Sequence, residues 1–235
     1  MGVREIQVAG KALTIHELED VCDSVTGRGL TGSWVWDSAL VLSDWIATQN
    51  FDFHEKTVLE LGAGAGLPGL TAALLGAGRV VLTDIGPLLP GLIRNVEANG
   101  LRDRVEVKEY VWGSDKSPTQ SGDLDEFNLV LMSDVFFDTE ETAALAKTLK
   151  RVCGERKDTV VWAACEVRPW TAECLNGLAT QGFGVVELSS QFNPSNTSNS
   201  LEEESFDMFA IFQLIPPNQE TTLKLPFPLH FCSFP

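Results

Sequence analysis

The chain is poor in the residues that metal and disulfide chemistry need. Its five cysteines, Cys22, Cys153, Cys165, Cys174 and Cys232, are odd in number and form no C-x-x-C pair. Neither a disulfide framework nor a zinc site is indicated. His16, His54 and His230 stand apart from one another, so no histidine metal cluster, and no metal, is expected. Basic residues number 17 against 33 acidic ones, a formal charge of −16 at pH 7 spread along the chain. A surface of that sign repels nucleic acid and anionic membrane and is compatible with basic partners, although solubility alone also accounts for it. No window approaches an apolar run of transmembrane length, and Met1-Gly2-Val3-Arg4-Glu5 lacks the apolar stretch of a signal peptide. A cytosolic, reduced protein is the expectation.

What the chain does contain is a strand that runs straight into alternating glycines. Residues Thr57 to Gly66 read T-V-L-E-L-G-A-G-A-G, with Glu60 two places before the first glycine. Farther on, a second apolar run, Val80-Val81-Leu82-Thr83, ends in Asp84. Glycine lets a ligand approach the backbone and tolerates positive φ, so a strand-glycines-helix corner can seat an adenosine-containing molecule. Asp84, at the end of the neighbouring strand, is placed to accept hydrogen bonds from a ribose diol. Gly64-Ala65-Gly66-Leu67-Pro68-Gly69 also satisfies G-x-G-x-x-G, which formally allows a nicotinamide dinucleotide. Glu60 argues the other way. A carboxylate gains nothing beside a pyrophosphate, whereas beside the sulfonium and ammonium of S-adenosylmethionine its charge is favourable.

A chain of 235 residues holds one α/β domain of ordinary size. Runs at Ile6 to Val8 and Leu13 to Ile15 predict a hairpin around Ala9-Gly10-Lys11, and the spacing of Trp36, Ala39, Leu40, Leu42, Trp45 and Ile46 predicts a helix to Thr48. Strands are expected at Thr57 to Leu61, Arg79 to Thr83, Arg104 to Glu109, Phe127 to Met132 and Thr159 to Ala164. Helices near Leu67 to Leu75, Pro87 to Ala98 and Glu140 to Val152 alternate with them. Such alternation implies a parallel sheet wrapped by helices on both faces. The last two strands, Gly184 to Leu188 and Phe206 to Leu214, are separated only by the polar loop Ser189 to Glu204 and should pair antiparallel at one edge. Loops are expected at Thr26 to Gly32, Gly113 to Glu126 and Asn193 to Ser200. One domain is expected over residues 1–215, with hairpin and helix in 1–50 and the core in 51–215, followed by a proline-rich arm over 216–235.

V-L-E-L-G-A-G-A-G, Asp84 after the second core strand, Val111-Trp112-Gly113 after the third and Ser133-Asp134-Val135-Phe136-Phe137 after the fourth stand in a fixed order. Upstream, Gly32-Ser33-Trp34-Val35-Trp36-Asp37-Ser38-Ala39-Leu40-Val41-Leu42 fits G-x-x-V-W-D-x-A-x-x-L. Together these motifs resemble the seven-strand S-adenosylmethionine-dependent methyltransferases, and within them the family-16 group that contains the methyltransferase-21-like protein lysine methyltransferases. The resemblance covers roughly Ile6 to Phe212. It implies a Rossmann-like, class I methyltransferase fold that binds S-adenosylmethionine and methylates a side-chain nitrogen of a protein, most simply lysine in a basic segment. A monomer is the expected state.

The resemblance also assigns roles. Trp36 would touch the methionine end of the cofactor, and Gly62, Ala63, Gly64 and Gly66 would line it, with Glu60 just before them as a further cofactor-site residue. Asp84 would take the ribose, Trp112 would cover the adenine, and Ser133 would add a main-chain contact. Stacking of a purine on an indole is worth about 1 kcal/mol. Asp134 and Phe137 match a D-x-x-Y/F signature and would serve the acceptor, Asp134 by holding an amine hydrogen and Phe137 as an aromatic wall. Alternatives stay open: Asp134 as a helix N-cap, Trp112 as a packing residue, and Trp34, Trp45, Trp162 and Trp170 as packing only. Different acceptors (arginine, histidine, a small molecule), a nicotinamide oxidoreductase and a scaffold without turnover are the competing functions. Cys165-Glu166-Val167-Arg168-Pro169, after the fifth core strand, sits where substrate contacts often lie but names no substrate.

Overall fold

Two short alternating strands, β1 (Gly2–Val8) and β2 (Lys11–Glu17), pair antiparallel in register from Gly2↔Glu17 to Val8↔Lys11. The turn between them is Ala9-Gly10, both at positive φ (52° and 73°), as tight two-residue hairpins require. The structure, a computed structural model, describes residues 2–18, 21–22, 27, 29–115, 127–154, 158–194 and 206–217. Of the expected loops, Thr26 to Gly32 lies within the description except for residues 26 and 28, whereas Gly113 to Glu126 lies outside it beyond residue 115. The tip of the last hairpin and the proline-rich arm beyond Pro217 lie outside it.

Helix α1 (Asp37–Thr48) precedes the core. There β3 (Thr57–Leu61), α2 (Leu67–Leu74), β4 (Arg79–Asp84), α3 (Leu89–Ala98) and β5 (Val105–Glu109) alternate. They are followed by β6 (Leu129–Ser133), α4 (Thr142–Cys153), β7 (Val160–Glu166), α5 (Thr171–Thr180), β8 (Gly184–Pro194) and β9 (Phe206–Ile215). The main sheet has seven strands in the order β5-β4-β3-β6-β7-β9-β8. Pairing is parallel from β5 to β7 and antiparallel at β7–β9 and β9–β8. The expected terminal hairpin is therefore present, with β9 inserted beside β7.

Period-two alternation sends successive side chains to opposite faces of the sheet. Val58, Val80, Leu82, Leu129, Leu131 and Trp162 pack into one core cluster with α1, α2 and the N-terminal hairpin. Leu59, Leu61, Val81, Val130, Met132 and Val161 pack into the other, with α4 and α5. Trp162 and Trp45 meet edge to face at 4.8 Å within the first cluster, so both serve packing as expected.

Three local readings of the sequence need correction. Helix α5 was not anticipated. Its segment T-A-E-C-L-N-G-L-A-T carries Gly177 in mid-helix, a residue that normally weakens a helix. A Cβ there would come within 2.8 Å of Thr142 Cγ2, so the glycine serves the close approach of α4 and α5. Strand β8 continues to Pro194 rather than stopping at Leu188, because it pairs with β9 past a bulge between Glu187 and Ser189. Chain entry into α3 is a short 3-10 turn, Gly86–Leu88, before the helix proper.

Candidate active site

The order of strands reverses at β3: the chain moves outward through β4 and β5, then crosses back to β6 and β7. In open parallel sheets the crevice at the carboxyl ends of the strands flanking such a reversal is where ligands bind. The glycine bend follows β3, Asp84 ends β4, and Ser133 and Asp134 end β6. The residues singled out from the sequence thus arrive at one edge.

The bend needs its glycines. Gly62, Gly64 and Gly66 all have positive φ, at 64°, 55° and 83°. A Cβ on Gly62 would meet the Trp112 ring at 3.1 Å, and one on Gly64 would sit 2.6 Å from the Gly32 carbonyl oxygen. Ala63 donates its N–H to the Thr83 carbonyl at 2.9 Å. Gly64 donates its own to Asp84 Oδ2 at 2.8 Å, while Asp84 Oδ1 accepts from Ile85 N–H at 2.8 Å. Burial pushes the Asp84 carboxyl up, against the pull of those two N–H groups. Gly66 differs from the other glycines of the bend. Its Cβ position faces Leu92 and Leu82, so a side chain there would run into the core at the start of α2.

Glu60 is wholly buried beneath the bend. Its Oε2 accepts from Gly69 N–H at 2.8 Å, holding the first turn of α2, while Oε1 finds no hydrogen-bond partner among the described residues. Burial pushes its carboxyl up to about 8, offset by the Gly69 bond and reinforced by the negative charge of Asp84. At neutral pH a carboxyl raised that far holds its proton, so the charge expected of Glu60 toward a ligand is largely absent and its part is to fix the bend through Gly69. The bend itself, with no room for a Cβ at Gly62 or Gly64, fits a ligand lying close against the backbone.

Trp112 lies against Gly62, and its ring centroid is 6.2 Å from that of Phe137 at a tilt of 37°. Phe137 is more than half exposed and stands on the Trp112 side of the crevice. Trp36 precedes α1 and anchors its indole N–H on the Thr31 carbonyl at 3.1 Å. The segment carrying it is pinned to the N-terminal hairpin: Val35 N–H donates to Glu17 Oε1 at 2.9 Å and Ser33 Oγ to the Leu18 carbonyl at 2.9 Å. Asn95 of α3 ties the same hairpin to the bend, accepting from His16 N–H at 2.8 Å and donating to the Ala65 carbonyl at 3.0 Å.

Beside the bend opens a cleft of about 370 Å³, lined among others by Trp34, Trp36, Asp37, Asp134, Glu166 and Arg168. Asp134 caps no helix, since α4 begins at Thr142 and the N–H of Glu140 goes to Asp138 Oδ1 instead. It holds φ at 54°, a strained value for a residue with a side chain, directly after β6. One guanidinium nitrogen of Arg168 reaches both Asp134 oxygens at 3.2 Å, and the other meets Glu166 Oε2 at 2.6 Å. Arg168 also lies over the Trp36 ring, 5.6 Å from its centroid. Burial pushes the Asp134 carboxyl up and Arg168 draws it back down. Glu166 and Arg168 belong to the segment expected where substrate contacts often lie, though neither takes a role from the sequence, and Trp34, expected to serve packing only, lines the cleft beside them.

Comparison with known proteins gives a family. Residues 12–174 match the family model described as lysine methyltransferase. The protein N-terminal and lysine N-methyltransferase EFM7 of Gibberella zeae is 30% identical over 206 residues, covering 77% of this chain and 74% of that protein. Protein N-lysine methyltransferase METTL21A of Danio rerio is 39% identical over 157 residues, covering 66% and 69%. Among solved structures, SMU.776 complexed with SAH superposes with a TM-score of 0.58 at 15% identity, covering 91% of this chain and 56% of that one, a likeness of fold.

Proposed function

We propose, since this chain belongs to the lysine methyltransferase family, that it transfers a methyl group from S-adenosylmethionine to the side-chain amine of a lysine in a protein substrate. One observation carries the assignment of the site. The Gly64–Asp84 hydrogen bond and the Asp134 carboxylate sit at the ends of β3, β4 and β6, on either side of the reversal in strand order. In this reading Asp84 holds the ribose hydroxyls, the Gly62-Ala63-Gly64 backbone lets the ligand lie close, and Trp112 covers the adenine. Trp36 and the Ser133 backbone complete the enclosure, and buried Glu60 fixes the bend from below through the hydrogen bond it accepts from Gly69 N–H. S-adenosylmethionine supplies a methyl carbon activated by its sulfonium.

The chain's own task is to present a neutral, aimed amine. A lysine with a pKa near ~10.4 is almost wholly protonated at neutral pH and has no free lone pair. Entry into a cleft walled by Trp34 and Trp36 removes water and lowers that pKa. Asp134 accepts one amine hydrogen and so directs the lone pair, a positioning effect of the kind that dominates displacement chemistry. Phe137 offers an aromatic face to the cationic methylated product.

Charge supports the partner class. With 17 basic against 33 acidic residues, the surface suits a basic target segment and disfavours nucleic acid and anionic membrane. Among the described residues no helix is long and apolar enough to cross a membrane. Free Cys22, Cys153, Cys165 and Cys174 suit a reducing compartment such as the cytosol, and a monomer suffices for the site as built. Incubation with tritiated S-adenosylmethionine and a cell lysate, followed by amino-acid analysis of the labelled band, tests the reading. Methyl-lysine is the expected product. Label on arginine or histidine alone would move the acceptor, and no label on any protein would remove the assignment.

A further inference from the structure

The contact between Asp134 and Arg168 is built to a degree that a surface ion pair is not. Both side chains are largely withdrawn from solvent, at 13% and 18% exposure, so neither charge is screened as an exposed pair would be. The loop that carries Arg168 is itself fixed: Arg168 N–H donates to Thr171 Oγ1 at 3.0 Å, Thr171 N–H returns to the Arg168 carbonyl at 3.0 Å, and Val167 N–H reaches the Met208 carbonyl at 2.7 Å. Asp134 is held in a left-handed backbone conformation that aims its carboxylate at this guanidinium. The cleft wall carries three acids, Asp37, Asp134 and Glu166, against one base, Arg168. Cys165 is the other titratable group that interacts with Asp134, and Cys174 interacts with Cys165 in turn; burial pushes both thiols up, so they stay uncharged.

We propose that Arg168 is the positioning residue of the acceptor site: its guanidinium keeps the Asp134 carboxylate charged and aimed, and as a cation beside the incoming amine it favours the neutral form that can attack. This rests on the function proposed above. Without Arg168 the cleft would hold three carboxylates and no base. Asp134 would take up a proton more readily, and an ammonium left in the cleft would lose one less readily. Both effects act in the same direction. Loss of Arg168 moves the acid limb of the transfer reaction to higher pH, so a variant slow at neutral pH recovers as the medium becomes alkaline. Lysine at this position would keep the charge and lose the fork that reaches Asp134 and Glu166 together.

Two readouts test this on the full chain. Carboxyl-carbon NMR titration of aspartate-labelled protein, with Asp134 assigned by the signal lost in Asp134→Asn, needs no substrate. In Arg168→Gln the Asp134 midpoint is expected to rise by about one pH unit or more, and in Arg168→Lys to stay near the wild-type value. Single-turnover transfer of tritiated methyl to lysate protein, followed across neutral and alkaline pH, gives the second readout. Arg168→Gln should show the limb displaced upward, and Arg168→Lys an unmoved limb with a reduced plateau. An unchanged Asp134 midpoint in Arg168→Gln, or a rate lowered by the same factor at every pH, overturns the proposal. If Arg168→Gln does not fold, Arg168→Lys still decides: a displaced limb there contradicts a role carried by charge. Absence of transfer by the wild type strikes the functional reading alone and leaves the titration to judge Arg168.

Discussion

Gly64 and Asp84, 20 residues apart in the chain, are joined by a 2.8 Å hydrogen bond from the Gly64 amide to Asp84 Oδ2. The bond couples the bend after β3 to the tip of β4, so the backbone that would cradle a ligand and the acid that would tether it form one unit. Neither can shift without the other.

That coupling makes Gly64 intolerant of a side chain. In Gly64→Ala the new methyl would stand 2.6 Å from the Gly32 carbonyl oxygen, at a backbone φ of 55° that alanine resists. Relief requires the bend or the 30s loop to move, and a bend that moves drags Asp84. Affinity for S-adenosylhomocysteine should fall by roughly tenfold or more, with a loss of several degrees in Tm, on the order of 1–3 kcal/mol of backbone strain. Calorimetric titration together with a thermal scan checks both. Unaltered affinity in a folded variant would separate the bend from the ligand.

Glu60 sets a pH dependence whose sign is fixed by burial. Its carboxyl is pushed up to about 8 in the folded chain against an ordinary 4.5, so the folded state binds a proton that the unfolded state has released. Its contribution is fully present below the unfolded value and is lost as pH rises through about 8. Glu60→Gln keeps an oxygen for the Gly69 N–H and removes the charge. The variant should be more stable than wild type, by a few kcal/mol at most, above about pH 8, with the advantage shrinking toward acidic pH. Thermal scans in a pH series test this, and an equal Tm difference at all pH would assign Glu60 no buried charge.

Asp134 separates binding from transfer. Asp134→Ala should lower methyl transfer to lysate protein by about a hundredfold or more while leaving affinity for S-adenosylhomocysteine within a few fold, because the acid faces the acceptor cleft and not the glycine bend. Tritium incorporation and calorimetry on the same preparation report the two quantities. Transfer at the wild-type rate with intact affinity would place the acceptor elsewhere.

The sheet was legible because its strands are short apolar runs of β-branched residues punctuated by Gly and Asn, and because the alternation of strand and helix leaves few arrangements for the sheet. Gly64 and Asp84 were legible for the same reason: one lies in the bend just after a strand that the pattern identifies, and the other ends the next. Arg168 was not. Its partners Asp134, Glu166 and Trp36 come from three separate stretches of chain, and only tertiary packing brings them together. Helix α5 escaped because Gly177 reads as a breaker until the Thr142 methyl is seen against it. Asn95 and Asn99 carry no signal of their own in the sequence. In the fold they satisfy the edge of β2, Asn99 Oδ1 accepting from Thr14 N–H at 2.9 Å and Asn95 Oδ1 from His16 N–H at 2.8 Å. The need for glycine at 66, which comes from Leu92 and Leu82 crowding its Cβ position, also shows only in the packing.

The most direct test is a calorimetric titration of the wild-type chain and of Asp84→Ala with S-adenosylhomocysteine, run beside NADH. Saturable binding of S-adenosylhomocysteine to wild type, weakened about tenfold or more by Asp84→Ala, with no heat from NADH, is the expected result. Binding of NADH without a response to S-adenosylhomocysteine, or an affinity indifferent to Asp84, would contradict the account.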